Sequence, residues 1–233
     1  MGRKENNNGN LNNARKARKI KNDEFYTHMS DIDNELQHYK EHFSGKTVLC
    51  NCDDPRVSNF FHYFSFNFEA LGLKKLITTC YKNQERDFFS KNECDQAVYL
   101  EYEGDKNGNH IPDAEEIGVK PLKGDGDFRS AECIELLKQA DVVVTNPPFS
   151  LFREYVKVFM DNNKDFVILG NMNAIIYKEV FPYIKDNRIG LGYLNGAKSF
   201  ITPDGVEQKF GNIFWYTTLP ISKHNEELVL FRK

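Results

Sequence analysis

At 233 residues, with 40% hydrophobic and 28% charged residues, the chain has the length and composition of one globular domain. The formal net charge of −3 argues mildly against a nucleic-acid partner, although the distribution of charge is more informative than its total. No apolar run can span a bilayer and the N-terminus has no signal-like hydrophobic core, so we expect a cytoplasmic protein without a membrane partner. The 5 cysteines lie mostly in apolar runs, which indicates buried thiols in a reducing compartment and no zinc site.

The first 22 residues form a basic, Asn-rich segment that can bury little, and we expect a flexible arm. Its cations include Arg15, Lys16, Arg18 and Lys19. Two interpretations stay open from this segment alone: a basic arm that contacts phosphates, or a solvated tail.

Hydrophobic periodicity predicts an order of helices and strands along the remaining chain. The predicted helices cover residues 31–43, 57–71 (ending at Gly72), 130–140 and 151–160. The predicted strands cover 46–50, 76–80, 141–145, 166–169, 213–219 and 228–231, with an inserted hairpin over 97–123.

Strands that alternate with helices predict a doubly wound α/β domain with a mainly parallel sheet. In such sheets ligands bind beyond the carboxyl ends of the strands, near the switch point of the topology. Three polar turns follow predicted elements at this edge, at residues 51–55, 124–128 and 146–149. We therefore expect these turns to lie together and to form the functional site.

The turn that carries the chemistry is Asn146-Pro147-Pro148-Phe149, directly after a predicted buried strand. Two prolines remove two backbone donors and fix φ twice, so the turn is rigid. The Asn146 amide and the Pro147 carbonyl can accept hydrogen bonds from a planar amino group, and Phe149 offers a face to a flat ring. Two acceptors localise the lone pair of such an amine, which can then attack a methyl group on a sulfonium. The alternative is a plain strand-ending turn, which the position after a buried strand disfavours.

Residues 141–149 resemble the catalytic motif of amino-group methyltransferases. The chain from about Asp23 onward resembles, more specifically, the EcoRI-type adenine-specific DNA methyltransferases. The segments that carry this likeness are Asp23-Glu24-Phe25-Tyr26-Thr27, Cys50 to Pro55, Gly124 to Phe128 and Gly211 to Trp215. The resemblance implies a Rossmann-like methyltransferase domain over 23–233, with an antiparallel strand near the C-terminus and S-adenosyl-L-methionine as cofactor. It also implies N6 methylation of a flipped-out adenine in double-stranded DNA, in restriction-modification beside a cognate restriction endonuclease.

The resemblance implies individual roles for cofactor-binding residues. Those at the methionine end of the cofactor are Phe25, Tyr26 and Thr27. The first-strand turn contributes Asn51, Asp53, Asp54 and Pro55, with the Asp53 carboxylate facing the cofactor's amino group. Asp127 accepts a hydrogen bond from the cofactor's adenine amine, and Phe128 packs on that ring.

On the DNA side, the resemblance assigns Trp215 to holding the target base. The basic arm lies just before Asp23-Glu24-Phe25-Tyr26-Thr27, and this position favours DNA contact. Residues 172–212, with Arg188, Lys198 and Lys209, are the candidate target-recognition segment, since no large domain follows the catalytic loop. Residues 105–116 have the spacing of a calcium loop with His110 at the glycine position; a cation site and a hairpin turn both remain open.

The chain departs from the general methyltransferase pattern at two points. The first-strand turn has no Gly-x-Gly, and the second strand ends at Cys80 without the acid that commonly holds the ribose. Two alternative functions stay open. One is methylation of an RNA base or a protein glutamine, which present a similar planar amine. The other is a catalytically silent subunit that binds cofactor and DNA, to which the irregular first-strand turn and the missing recognition domain point.

Overall fold

A computed structural model describes residues 26–51, 58–81, 97–109, 112, 116–202 and 205–221. The strands in this part of the chain are β1 (Tyr26–Thr27), β2 (Thr47–Asn51), β3 (Lys75–Cys80), β4 (Val98–Tyr102), β5 (Gly118–Pro121), β6 (Val142–Thr145), β7 (Asp165–Asn171), β8 (Gly190–Leu191), β9 (Gly196–Ile201) and β10 (Glu207–Thr217). The α-helices are α1 (Met29–Leu36), α2 (Lys40–Phe43), α3 (Asn59–Phe66), α4 (Phe68–Leu71), α5 (Ala131–Gln139), α6 (Phe152–Asp161) and α7 (Phe181–Lys185). Short 3₁₀ helices cover Gln37–Tyr39, Phe149–Leu151 and Met172–Ile176.

The strands form one sheet in the order β1-β9-β10-β7-β6-β2-β3-β4-β5, with β8 paired to β10. The four central strands β7, β6, β2 and β3 are parallel, whereas the strands on both sides of them pair antiparallel. The mixed α/β class is thus confirmed. The expectation of a mainly parallel sheet is wrong in extent, because only the central pairs are parallel. The apolar pattern did not reveal β1, β8, β9 or the first half of β10, which add antiparallel pairs.

The central strands are buried on both faces, which explains why their sequences read as continuous apolar runs. Val48 and Val144 face a core that they share with α1 to α4. Their neighbours Leu49 and Val143 face a second core, formed with α5 and α6. Helices therefore cover both faces of the parallel part of the sheet.

Two predicted helices are interrupted. The helix expected over 31–43 consists of α1, a 3₁₀ turn and α2. The helix expected over 57–71 is interrupted at Asn67, whose side-chain amide also donates to the Tyr63 carbonyl, at 2.8 Å. It ends at Gly72 as predicted, in the left-handed conformation at φ 62°. The strand predicted over 228–231 lies outside the described residues.

The β9–β10 hairpin (196–217) extends beyond the end of β7. Ile213 pairs with Asn171, the last residue of β7, so residues 207–210 of β10 pair with β9 alone. The ladder is irregular between Phe210 and Ile213. Because β7 runs parallel to β6, the free part of the hairpin projects past the carboxyl edge, at which β2, β3, β6 and β7 end.

A buried carboxylate fixes the segment that leads into this hairpin. Glu35 of α1 is fully buried and accepts from the backbone amides of Tyr193 and Leu194 at 2.8 and 2.7 Å. The Tyr39 hydroxyl donates to the same carboxylate at 2.8 Å. These bonds satisfy the charge and attach α1 to the entrance of β9.

In the described part of the chain, every helix is too short or too polar to cross a membrane. Among the same residues, Cys50, Cys80 and Cys133 are buried. Strands β4 and β5 form an antiparallel hairpin within the segment 97–123.

Candidate active site

The Asn146–Phe149 loop leaves β6 at the carboxyl edge of the sheet. All four residues of β6 are buried, and so are Asn146 and Pro147. The Leu151 amide donates to the Pro148 carbonyl at 2.9 Å, which closes the 3₁₀ turn from which α6 begins. The loop is thus held between a buried strand and a helix, with Phe149 partly exposed.

A side-chain hydrogen bond joins this loop to the end of β2. The ladder between β2 and β6 contains the pairs Val48–Val142 and Leu49–Val143 and goes no further. Beyond it, the Thr145 hydroxyl donates to the backbone carbonyl of Asn51. From this point β2 leads towards α3 in the first core and β6 leads to α6 in the second. In open α/β sheets, two neighbouring parallel strands whose connections pass to opposite faces leave a crevice between their carboxyl ends. Ligands bind in this crevice.

The N-terminal strand reaches the same place. Thr27 pairs with Phe200 of β9, and its carbonyl accepts from the Asn59 side chain at 2.7 Å. Asn59 is the first residue of α3, which Ser58 caps by accepting from the Phe61 amide at 3.3 Å. Thr27 is therefore attached to α3, the first described helix after β2.

Two buried polar atoms near these connections have no hydrogen-bond partner within the described ranges: Thr27 Oγ1 and Asn51 Oδ1. Buried side-chain oxygens are almost always satisfied in folded proteins. Their location on β1 and at the end of β2 is consistent with a polar ligand at this edge.

The 124–128 turn lies against the end of β3. Gly126 has φ +82°, and a Cβ at this position would approach the Cys80 carbonyl oxygen to 2.8 Å. Glycine is therefore required both by the backbone conformation and by the space. This contact brings Asp127 to the carboxyl edge, two strands away from the Asn146 loop.

The Asp127 carboxylate is held by Arg129. Oδ1 accepts from the backbone amide and Nε of Arg129 at 2.8 and 2.9 Å, and Oδ2 accepts from Nη2 at 2.5 Å. These bonds hold the pKa of the Asp127 carboxyl below its ordinary value, against partial burial. Arg129 also contacts Glu154 on α6. The carboxylate is ionised and oriented, which suits an acceptor for an amino group.

Phe128 has a different environment from the expected one. Its ring stacks on Tyr155 of α6, with centroids 3.6 Å apart and planes 15° apart, and the Arg129 guanidinium lies 5.2 Å from its centroid. Phe128 is buried in the second core. The structure therefore gives this ring a packing role that anchors the turn, and its contact with the cofactor stays a prediction.

Phe149 belongs to an aromatic cluster that the sequence did not reveal. Its ring is edge-on to Phe200 at 6.3 Å and to Phe210 at 6.4 Å, and the latter two rings are 5.7 Å apart. Edge-to-face contacts of this kind stabilise ring orientation. The β9–β10 hairpin thus supports the ring that is predicted to stack on the substrate.

The assignment of Trp215 to the target base is corrected by the structure. Its side chain is 0% exposed and packs edge-on against Phe60, 6.3 Å away. Trp215 belongs to the first core, which the sheet shares with α1 to α4, so it is a core residue. Lys198 of the candidate recognition segment is also buried, 5.9 Å from the Trp215 ring, and burial lowers the pKa of its ammonium. Lys209 is exposed on the hairpin.

The family model described as "Adenine-specific methyltransferase EcoRI" matches residues 13–233. The chain belongs to this family of adenine-specific methyltransferases. The type II methyltransferase M.EcoRI of Escherichia coli is 48% identical over 94% of the chain and 72% of its own length. The type II methyltransferase M.MgeORF184P of Mycoplasma genitalium is 37% identical over 90% of the chain and 66% of its own length. The type II methyltransferase M.MpnI of Mycoplasma pneumoniae is 38% identical over 88% of the chain and 63% of its own length. No solved structure matches the chain significantly.

Several predicted site residues of this methyltransferase-family chain lie outside the described residues. They are Phe25, Asp53, Asp54, Pro55, Arg15, Lys16, Arg18 and Lys19. Of the others, Tyr26, Thr27, Asn51, Asp127 and the Asn146 loop all lie at the carboxyl edge. Thr145 and Asn59, which connect them, were missed because their roles depend on partners distant in sequence.

The calcium-like spacing over 105–116 is occupied by local hydrogen bonds where it is described. Asp105 Oδ1 accepts from the Gly108 amide at 2.6 Å, and Glu116 Oε1 accepts from the Lys106 and Asn107 amides at 2.6 and 3.1 Å. Within the described ranges, no group of three His, Cys, Asp or Glu side chains is placed to hold a metal ion. These bonds have the form of turn-stabilising contacts.

Proposed function

We propose that this chain transfers a methyl group from S-adenosyl-L-methionine to N6 of an adenine in double-stranded DNA. The observation that carries the proposal is the position of the Asn146 loop, bonded through Thr145 to Asn51 where β2 and β6 separate. The names of the three relatives, all type II methyltransferases, support DNA as the substrate.

The fold that we propose is the doubly wound, Rossmann-like one of methyltransferases, over residues 23–233. Helices on both faces of the central parallel strands support it, as does the antiparallel strand β10 beside β7. In this arrangement the space between β2 and β6 receives the cofactor.

The residues at this edge carry polar groups of the kind that would bind this cofactor. Thr27 Oγ1 and Asn51 Oδ1 are buried polar atoms that a ligand with amino and carboxylate groups can satisfy. We assign the methionine end to Phe25, Tyr26 and Thr27, together with the turn of Asn51, Asp53, Asp54 and Pro55. We assign the adenine amine to the ionised carboxylate of Asp127. When bound, the cofactor supplies a methyl group on a positively charged sulfur.

The remaining chemistry belongs to the Asn146 loop. The exocyclic nitrogen of adenine is a weak nucleophile because its lone pair is delocalised into the ring. Hydrogen bonds from this amine to the Asn146 side-chain oxygen and the Pro147 carbonyl favour a pyramidal nitrogen with a localised pair. Phe149, supported by Phe200 and Phe210, holds the plane of the base by stacking.

Adenine in a duplex must leave the stack to reach this loop. β1 begins at Tyr26 opposite Ile201, near the outer end of the β9–β10 hairpin. The described chain therefore begins at the carboxyl edge, and this position of Tyr26 supports our proposal that Arg15, Lys16, Arg18 and Lys19 contact DNA. The hairpin, with exposed Lys209, is the part of segment 172–212 that projects furthest towards a bound duplex.

A type II role implies a cognate restriction endonuclease that cuts the same sequence, and a cytoplasmic location where the chromosome is accessible. The function is tested by incubating the protein with radiolabelled S-adenosylmethionine and unmethylated DNA, total RNA or a protein extract. We expect N6-methyladenine in DNA, its loss in Asn146→Ala, and no loss in Asn34→Ala, which makes the same change on the exposed face of α1.

Two other results identify the alternatives. Label in RNA or in protein glutamine, with none in DNA, would replace the proposed substrate. Cofactor binding without transfer to any of them would indicate the catalytically silent subunit.

A further inference from the structure

Ile176 is the most exposed large hydrophobic side chain among the described residues, at 77%. It lies at the end of the 3₁₀ turn Met172–Ile176, which directly follows β7. Isolated apolar residues on a surface are common and by themselves mean little. The position and the rigid setting of Ile176 distinguish it from the others.

The turn begins further out than the end of β6, the strand that leads into the catalytic loop. Thr145 pairs with Ile168, and β7 continues from there to Asn171, so it ends three residues (171 − 168) further out. At about 3.3 Å per residue, the turn begins roughly 10 Å beyond the end of β6. A duplex whose adenine reaches Asn146 would lie at the height of this turn.

The turn is held firmly on both sides of Ile176. The Asn173 amide donates to Asn171 Oδ1 at 2.9 Å, and the Tyr216 hydroxyl donates to the Asn171 carbonyl at 2.8 Å. Ala174 and Val180 are both fully buried in the second core. A side chain on a turn held in this way can keep its position when it presses against a ligand. A side chain on a flexible loop would be displaced instead.

Cations accompany this apolar side chain. Arg153 of α6 lies over the ring of Tyr177, with its guanidinium carbon 4.0 Å from the ring centroid, and is half exposed. Lys178 is 89% exposed. An apolar side chain can insert between stacked bases, and cations near it can contact the phosphates of the DNA backbone. The acid beside them, Glu179, lies within 4.0 Å of both cations.

We propose that Ile176 enters the duplex and fills the space that the target adenine leaves when it flips out. This proposal rests on the proposed function, since it needs an extruded adenine in DNA. Arg153 and Lys178 hold the backbone on either side, and the insertion stabilises the open duplex. Ile176 is therefore a positioning residue, because it acts on the helix and not on the reacting atoms.

The test uses the full-length protein and a duplex that contains a site mapped by sequencing plasmid DNA methylated by the wild type. The variants are Ile176→Ala and, as control, Val119→Ala, which truncates a 61%-exposed side chain on β5. Each is assayed on the paired duplex and on a duplex with a mismatch opposite the target adenine. A mismatched base costs less to extrude.

We expect Ile176→Ala to lower kcat/KM about tenfold or more on the paired duplex and to come within about threefold of wild type on the mismatched one. Val119→Ala should behave as wild type on both, and Ile176→Leu should retain most activity. Equal losses on the two duplexes, or no loss on the paired one, would overturn the proposal. If the wild type leaves DNA unlabelled, the proposed function itself fails and the insertion with it.

Discussion

The hydroxyl of Thr145 donates to the backbone carbonyl of Asn51 across the gap where two parallel strands separate. The backbone pairing between β2 and β6 ends at Leu49 and Val143, and this side-chain hydrogen bond joins the two strands beyond that point. Because Asn146 follows Thr145 directly, this bond ties the start of the catalytic loop to the end of β2.

Thr145→Val tests this relationship, because it removes the hydroxyl and keeps the shape. We expect the variant to lose about 1–2 kcal/mol of unfolding free energy, as the Asn51 carbonyl loses a buried partner. The methylation rate should fall about tenfold or more, since the loop is displaced relative to the bound cofactor. Denaturant titration and single-turnover kinetics measure the two effects.

The matched control is Thr218→Val at the opposite edge of the sheet. Its hydroxyl accepts from the Phe166 amide at 3.0 Å and donates to Asp165 at 2.9 Å. This variant should be destabilised to a comparable degree with an unchanged rate. A rate loss of equal size in both variants would mean that Thr145 contributes only stability.

The support of Phe149 by the hairpin predicts energetic coupling between Phe149 and Phe210. Phe149→Ala should reduce kcat strongly because the base loses its stacking surface, and Phe210→Ala should reduce it less. The double variant should be little worse than Phe149→Ala, since Phe210 acts through that ring. Additive losses of kcat in the double-mutant cycle would contradict the proposal that Phe210 acts by supporting Phe149. The control is Phe66→Ala, which removes a ring that is 63% exposed.

The ionised carboxylate of Asp127 predicts a specific loss of cofactor affinity. Asp127→Asn keeps the size but makes one arm a donor, so we expect the Kd for S-adenosylmethionine to rise about tenfold or more by calorimetry. Asp161→Asn removes a carboxylate paired with Lys157 at 2.5 Å on the far end of α6, and it should leave Kd unchanged. An unchanged Kd in Asp127→Asn would remove this residue from the site.

The same carboxylate predicts a pH dependence of stability. Since the folded-state pKa of Asp127 is lowered, its contribution is present above the unfolded pKa of about 3.9 and is lost as pH falls through the folded value. The difference in unfolding free energy between wild type and Asp127→Asn should therefore shrink between about pH 5 and pH 2. A difference that stays constant over this range would show that Arg129 does not stabilise the ionised form.

The parallel part of the fold could be predicted because its strands are buried on both faces and read as short apolar runs. The Asn146 loop was predictable because its four residues are contiguous. By contrast, the roles of Phe128 and Trp215 depend on Tyr155 and Phe60, which lie far away in the sequence. No local pattern distinguishes an aromatic residue that stacks on a ligand from one that stacks on a neighbouring helix.

The β9–β10 hairpin was only half predicted for a related reason. The second half of β10 is buried and apolar, whereas residues 207–210 are mostly exposed and polar, and the ladder is irregular between them. The hairpin carries the two rings that support Phe149. The candidate site therefore consists of the Asn146 loop and of the hairpin that supports it.

The measurement that tests the central claim most directly is the single-turnover rate of N6-methyladenine formation in DNA by Asn146→Ala and Asn146→Asp, with cofactor affinity measured in parallel. If the Asn146 oxygen holds the target amine, the rate should fall about 100-fold or more in Asn146→Ala and less in Asn146→Asp, which keeps an acceptor. The Kd for S-adenosylmethionine should stay within about threefold of wild type in both. A rate in Asn146→Ala within about tenfold of wild type would contradict the account.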